Sequence, residues 1–174
     1  MYVIRNVGEN EFPACLAVIC ESFETVAQVF SLTRENCPSH TSFMTYEKLL
    51  GNAARGWRFF AAEQDGVLVG CYALSREAED SFELHNLAVL PAYRHRGLGR
   101  RLLDDAKARV CAAGAKKLCI GIIEESAVLK RWYMENGFVP TGTRRFPHLP
   151  FTVGFLEWQA GGAPAGAGRT PCGR

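Results

Sequence analysis

The sequence predicts an α/β domain, with helices flanking a central mixed sheet whose first half is antiparallel. Three observations carry that prediction. Two strand-like runs, Trp57 to Glu63 and Val67 to Ser75, are joined through Asp65-Gly66, a strong hairpin-turn signal. A third strand-like run, Ser81 to Leu90, is stopped by Pro91 and followed by a helical pattern. Lys117 to Ile123 then reads as another strand, so a strand-helix-strand crossover follows the antiparallel half.

Each element has a local reason. Tyr2 to Arg5 is a short first strand, and Phe12, Leu16, Ile19 and Phe23 recur at helical spacing within Glu9 to Phe23. The stretch from Thr25 to Ser42 is less regular, with a break marked by Pro38, Ser39 and His40. Tyr46 to Ala54 is a further short helix, and Glu77 to Asp80 a polar turn. Leu98, Leu102, Ala106 and Val110, with Leu103 beside them, make one apolar helix face that Gly114 is placed to end. Ser126 is placed to cap the next helix, which Gly137 stops after about Asn136. Phe138 to Arg144 and Phe151 to Trp158 read as the last strands. One domain thus covers residues 1–159. The remainder, 160–174, is rich in Gly, Ala and Pro, has no face to bury, and is expected to be disordered.

Composition bounds the function. The 174 residues suit one domain with a real core, and 48% hydrophobic against 22% charged residues is a globular balance. A formal net charge of +2 lacks the basic excess of a nucleic-acid binder. No apolar run reads as long enough to span a membrane, and the first five residues lack a signal-peptide layout. The seven cysteines are odd in number and form no Cys-x-x-Cys pair. That pattern points to no disulfide framework, no metal site and a reducing, cytoplasmic compartment.

The chemistry concentrates where the third strand gives way to a helix, at Arg94-His95-Arg96-Gly97-Leu98-Gly99-Arg100-Arg101. A helix N-terminus exposes unpaired N–H groups and the positive end of its dipole, an arrangement that binds phosphate. Gly97 and Gly99 let a phosphate approach the backbone, and Arg94, Arg96, Arg100 and Arg101 place positive charge around it. On its own this is a generic anion site, since glycine turns with surface arginines are common. A nucleotide-phosphate loop of the Lys-Ser/Thr type is excluded, because Arg100-Arg101 stand where that pair would be.

The run Leu87 to Leu103 resembles the acetyl-CoA motif of the GNAT family of N-acetyltransferases, Gln/Arg-x-x-Gly-x-Gly/Ala after a strand ending in an apolar-Val-x-Pro run. Arg94, Gly97 and Gly99 fill the motif. Downstream, Trp132-Tyr133-Met134-Glu135-Asn136-Gly137-Phe138 looks like the family's Tyr-x-x-x-Gly-Phe signature. The resemblance implies the GNAT fold over residues 1–159: a mixed, mostly antiparallel sheet of about six to seven strands flanked by helices. It implies acetyl-CoA as cosubstrate, without a metal. The backbone of Arg94, His95, Arg96, Gly97, Leu98, Gly99 and Arg100 would grip the pyrophosphate. Leu87, Ala88 and Val89 would pair with the pantetheine arm, the Leu87 N–H stabilising the developing oxyanion. The family commonly offers an Asn and an Ala to CoA where this chain has Ser126 and Leu129, a departure that leaves one hydrogen-bonding and one apolar contact.

An amine with a pKa near ~10.4 attacks a thioester only after losing a proton, and the leaving thiolate needs one. The resemblance puts the general acid at Tyr133. Glu83 and His85 share one face of the strand, and either can serve as base, directly or through water. The resemblance to the histone-acetyltransferase branch favours Glu83. Glu124, Glu125, His148 and the run Cys37 to Thr41 are further groups that could border the acceptor cleft. The implied partner is an amine of a small molecule or peptide, with room for a homodimer. The alternative is a non-catalytic acyl-CoA-binding module.

Overall fold

The computed structural model describes residues 1–161, so the expectation for 162–174 lies outside the described residues. Seven strands form one sheet: β1 Val3–Asn6, β2 Arg58–Gln64, β3 Val67–Ala78, β4 Ser81–Val89, β5 Lys117–Ile123, β6 Val139–Arg145 and β7 Thr152–Gln159. Their spatial order is β1-β2-β3-β4-β5-β7-β6. Every pairing is antiparallel except β4 with β5. The helices are α1 Phe12–Val29, α2 Tyr46–Ala54, α3 Leu98–Ala112 and α4 Ala127–Glu135.

The turn chemistry acts where the sequence placed it. Asp65 and Gly66 both take positive φ, 52° and 81°, and Gln64 pairs with Val67 across them. Gly114 and Gly137 follow α3 and α4 in left-handed conformation, at φ 76° and 84°. Two expectations change. Helix α1 runs on past Phe23 to Val29, because Ala27 is buried with Leu32 and Cys37 in a small cluster that anchors its last turn. Ser126 precedes α4, but its side chain makes no capping hydrogen bond. Beyond β7, Ala160 is still tied down, its N–H donating to the Lys116 carbonyl at 2.8 Å.

The sheet is buried on both faces, with successive side chains going to opposite sides. Phe60, Ala62, Val69, Tyr72, Leu74 and Leu84 face the α3 side, where they meet Leu98, Leu102, Leu103, Ala106 and Val110. Phe59, Ala61, Leu68, Cys71 and Ala73 face the other way, against Phe12, Cys15, Val18 and Ile19 of α1 and Leu49 of α2. The helical segment Glu9–Val29 is long and apolar enough to cross a membrane by length and composition, contrary to the sequence expectation. In the fold that apolar character serves the core contact just described. Tyr72 fastens α3 to the sheet: its hydroxyl donates to Asp105 and accepts from Arg109 Nε at 3.1 Å.

Candidate active site

The site begins where β4 and β5 part. They pair only at Ser81 with Lys117, Phe82 with Leu118 and Glu83 with Cys119. On its other side β4 pairs with β3 through a bulge. His85 sits opposite Ala73 and Ala88 opposite Cys71, so Asn86 and Leu87 share the single partner position of Tyr72. Asn86 takes φ 52° there. Beyond the bulge the Leu90 N–H donates to the Val69 carbonyl at 3.0 Å. Backbone groups alternate along an antiparallel strand, so Ala88 and Leu90 address β3 while Leu87 and Val89 turn their N–H to the opened edge.

At the end of that edge lies the arginine- and glycine-rich loop. A single helical turn, Pro91–Tyr93, follows β4, and the Arg94 N–H donates to the Pro91 carbonyl at 3.3 Å. His95 at φ 59° and Gly97 at φ 78° then turn the chain into α3. The first helical hydrogen bond is from Arg101 N–H to the Gly97 carbonyl, 3.1 Å. The N–H groups of His95 to Arg100 are taken by no protein acceptor among the described residues. Six consecutive donors at a helix N-terminus make an anion cradle.

The arginines divide, which corrects the expectation that all four surround the phosphate. Arg94 reaches away from the loop to the Val89 carbonyl (3.0 Å), Thr25 Oγ1 (3.0 Å) and the Ser22 carbonyl (2.8 Å), tying α1 to the end of β4. Arg101 donates to the Tyr2 carbonyl at 3.1 Å and lies over the Tyr2 ring. Arg96, near the Tyr93 ring, and the exposed Arg100, 3.9 Å from Asp104, stay beside the cradle.

Helix α4 leans on the same loop. A Cβ on Gly99 would stand 3.7 Å from Trp132 and 3.9 Å from Val89, so the protein itself leaves room there. Tyr133, next to Trp132, is 3% exposed and meets Trp132 and Phe138 edge-to-face at 4.9 and 5.3 Å. Its hydroxyl has no hydrogen-bond partner among the described residues, and burial raises its pKa, keeping it protonated. Ser126 and Leu129 sit at the start of the same helix, Leu129 exposed.

Glu83 is the last residue of β4 paired with β5, and His85 lies just past the point where the strands part. Glu83 Oε1 is 4.0 Å from His85 Nδ1, confirming their shared face. Burial, then the charge of Glu77, pushes the Glu83 carboxyl up to about 7. Burial pushes the His85 imidazole down to about 4, leaving it neutral at neutral pH. The ring is stacked on Trp57, with centroids 3.6 Å apart and planes 12° apart. Its Nε2 lies 2.8 Å from Ser75 Oγ, which in turn donates to Glu77 Oε1 at 2.5 Å. Sequence reasoning missed Ser75 and Glu77. Counting back from the β3–β4 turn would have found Ser75, since it is the cross-strand partner of Glu83. Glu77, Glu83 and His85 bring ligand atoms within 4.8 Å of one another, but here Ser75 joins Glu77 and His85 by hydrogen bonds.

The remaining candidates have other work. Glu124 pairs with Lys130, and Glu125 accepts the Thr152 N–H at 3.0 Å. Gly154 lies under the Glu124 carboxylate, which would have to move to admit a Cβ there. Cys37 is fully buried and burial raises its thiol pKa, which disfavours the thiolate at neutral pH. His40 is buried and bonded to Ser42, while His148 is exposed beside Phe146.

Residues 55–140 match the family described as an acetyltransferase (GNAT) domain. An amino-acid acetyltransferase of Azotobacter vinelandii is 41% identical over 91 residues, and one of Pseudomonas putida 35% identical over the same length. Each match covers 52% of this chain and 20% of the relative, so the chain aligns with about a fifth of those proteins. Among solved structures, the PaiA N-acetyltransferase of Thermoplasma acidophilum, in complex with coenzyme A, superposes with a TM-score of 0.74 at 22% identity. That match covers 92% of this chain and 99% of the other. The ribosomal-protein-S18-alanine N-acetyltransferase of Escherichia coli gives 0.72 at 18% identity, covering 94% and 97%. At such identities the likeness is one of fold.

Proposed function

We propose that this chain, whose residues 55–140 match an acetyltransferase (GNAT) domain, transfers an acetyl group from acetyl-CoA directly to a primary amine. The observation that carries the reading is the cradle of free N–H groups from His95 to Arg100 at the foot of the opened β4 edge. The cradle takes the CoA pyrophosphate, with Arg96 and Arg100 beside it. The edge from Leu87 through Ala88 to Val89 runs beside the pantetheine arm, and the Val89 N–H pairs with one of its amides as a strand would. Ser126 and Leu129 flank the cofactor from the start of α4.

In the reaction, the amine gives its proton to Glu83 as its nitrogen attacks the thioester carbon. The Leu87 N–H donates to the carbonyl oxygen as negative charge builds on it. The C–S bond breaks, and the Tyr133 hydroxyl donates its proton to the departing sulfur. A base near pKa 7 is suited to that proton transfer at neutral pH, and a Tyr whose pKa is raised stays protonated until needed. Between the two strand candidates this favours Glu83, since a neutral His85 at about 4 is a weak base. The likeness to amino-acid acetyltransferases favours an amino acid or similar small amine as acceptor. The odd number of cysteines, with no Cys-x-x-Cys pair, supports a reducing, cytoplasmic compartment.

Calorimetry with acetyl-CoA, followed by a panel of L-amino acids, polyamines and a lysine peptide assayed for CoA release, tests the reading. Binding with acceptor-dependent release is expected. Binding without release from any amine would leave a non-catalytic acyl-CoA module, and absence of binding would overturn the donor site itself.

A further inference from the structure

We propose that Ser75 and Glu77 are positioning residues for the base: they lock His85 as the Nε2–H tautomer, so that its Nδ1 lone pair faces Glu83 and receives the carboxyl proton as a hydrogen bond. The inference rests on the acetyltransferase reading for its consequence, but its structural core stands apart from it.

The hydrogen-bond inventory fixes the polarity. A serine hydroxyl has one proton to give, and Ser75 gives it to Glu77 Oε1 at 2.5 Å. The Ser75 to His85 contact of 2.8 Å then needs its proton from the ring, so Nε2 is the donor. A neutral imidazole protonated at Nε2 carries a lone pair at Nδ1, and Nδ1 is the atom 4.0 Å from Glu83 Oε1. Trp57 stacked on the ring holds its plane, and Ser75 is 6% exposed, while Glu77 at the outer end of the chain of hydrogen bonds is exposed. Cross-strand register places the parts: Ser75 lies opposite Glu83, and His85 opposite Ala73.

The consequence falls on Glu83. A carboxylate facing a lone pair gains nothing, whereas the protonated acid facing it gains a hydrogen bond after a small approach. The Glu77 charge acts in the same direction. Of the titratable groups around Glu83, Glu77 comes from β3, His85 from β4 and Cys119 from β5, and the Glu77 charge adds to burial in raising the carboxyl pKa. When the amine proton arrives, Glu83 becomes the neutral acid, its O–H directed to Nδ1, and no proton moves onto the imidazole. Without Ser75 the ring is free to carry its proton on Nδ1, which would donate to the carboxylate and weaken the base.

Two measurements test this. Long-range proton–nitrogen NMR of the whole chain reads the tautomer of His85, identified by its loss in His85→Asn. A neutral Nε2–H ring at pH 7 is expected, turning to a mixed or Nδ1–H ring in Ser75→Ala. The pH profile of kcat/KM, with acetyl-CoA and L-glutamate or spermidine as acceptor, reads the base. Its acid limb is expected to move down by about one unit in Ser75→Ala, so that roughly tenfold loss at low pH becomes less than twofold loss relative to each enzyme's own plateau. Glu77→Gln keeps an acceptor for Ser75 but removes the charge, and should shift the limb with the tautomer intact. An Nδ1–H ring in the wild type, or a limb and tautomer unmoved by Ser75→Ala, overturns the proposal. Failure of acetyl-CoA to bind would instead sink the acetyltransferase reading, with the tautomer still deciding the lock.

Discussion

Tyr133 is buried and Glu83 half-buried, yet burial acts on the two to opposite chemical effect. It holds the phenol protonated and makes the carboxylate a better base. Tyr133→Phe removes no hydrogen bond within the described protein, so Tm should stay where it is. Acetyl-CoA affinity should change by less than about twofold while kcat drops by roughly 100-fold, the scale of a lost proton donor. Stopped-flow kinetics beside calorimetry checks it, and equal loss in binding and rate would reassign Tyr133 to holding the helix. Glu83 carries a stability signature as well. Its folded pKa of about 7 stands above the ordinary 4.5, so the folded protein keeps a proton that the unfolded chain releases. The stability from this group is full below pH 4.5 and is lost as pH rises through 7. Glu83→Gln should therefore be more stable than the parent at pH 8, by about 1–2 kcal/mol after discounting for partial solvent exposure, and no more stable at pH 4. His85 works in the opposite sense, since its folded pKa is depressed and its stability is lost as pH falls from 6.5 through 4. In the parent the two trends oppose one another between pH 4.5 and 6.5. In Glu83→Gln the His85 rise stands alone there, and urea titrations across that range separate them.

At the scale of elements, local signals were legible wherever the cause was local. Asp65-Gly66, Gly114 and Gly137 each end an element because the backbone needs a positive φ at that point. The apolar stripe of α3 and the strand from Lys117 to Ile123 were legible for the same reason: periodicity records which face is buried. The length of α1 was not, because its last turn is held by Leu32 and Cys37, which come later in the chain and have no periodic relation to it. The function of Arg94 was hidden likewise. Its motif position is visible in the sequence, but its partners Ser22 and Thr25 lie on a helix 69 to 72 residues away. Hence a loop arginine is a tie between elements, and Arg94→Ala should cost stability, about 2 kcal/mol for a set of charged hydrogen bonds, beyond any effect on the donor. Denaturant unfolding without ligand reads that directly; an unchanged midpoint would return Arg94 to the phosphate. Gly97→Ala offers the contrast. No atom would touch the new Cβ, so its cost of about 1 kcal/mol is the strain of φ 78° alone.

Across the whole molecule, the parted strands explain why one end of the sheet is left for a ligand. The seven strands pair along most of their length, but β5 leaves β4 after Glu83, and past the bulge at Asn86 the far half of β4 keeps β3 but not β5. The family motif made the donor loop readable, but the parting itself is a register effect between strands joined by a helix, and no local pattern announces it. The open edge gives an alternating expectation. Leu87 and Val89 present their N–H to the cleft, whereas Ala88 and Leu90 already bond to β3. Amide hydrogen exchange resolved by residue should therefore find Ala88 and Leu90 protected in the free protein. Leu87 and Val89 should gain protection only when acetyl-CoA is added, together with His95 to Arg100. Free CoA would protect the loop amides by its pyrophosphate, and Val89 by its pantetheine arm. The acetyl carbonyl adds a partner for Leu87 alone, so Leu87 is where acetyl-CoA and CoA should differ. Equal slowing of all four strand amides would mean a general stiffening of β4, and would remove the opened edge as the seat of the pantetheine arm.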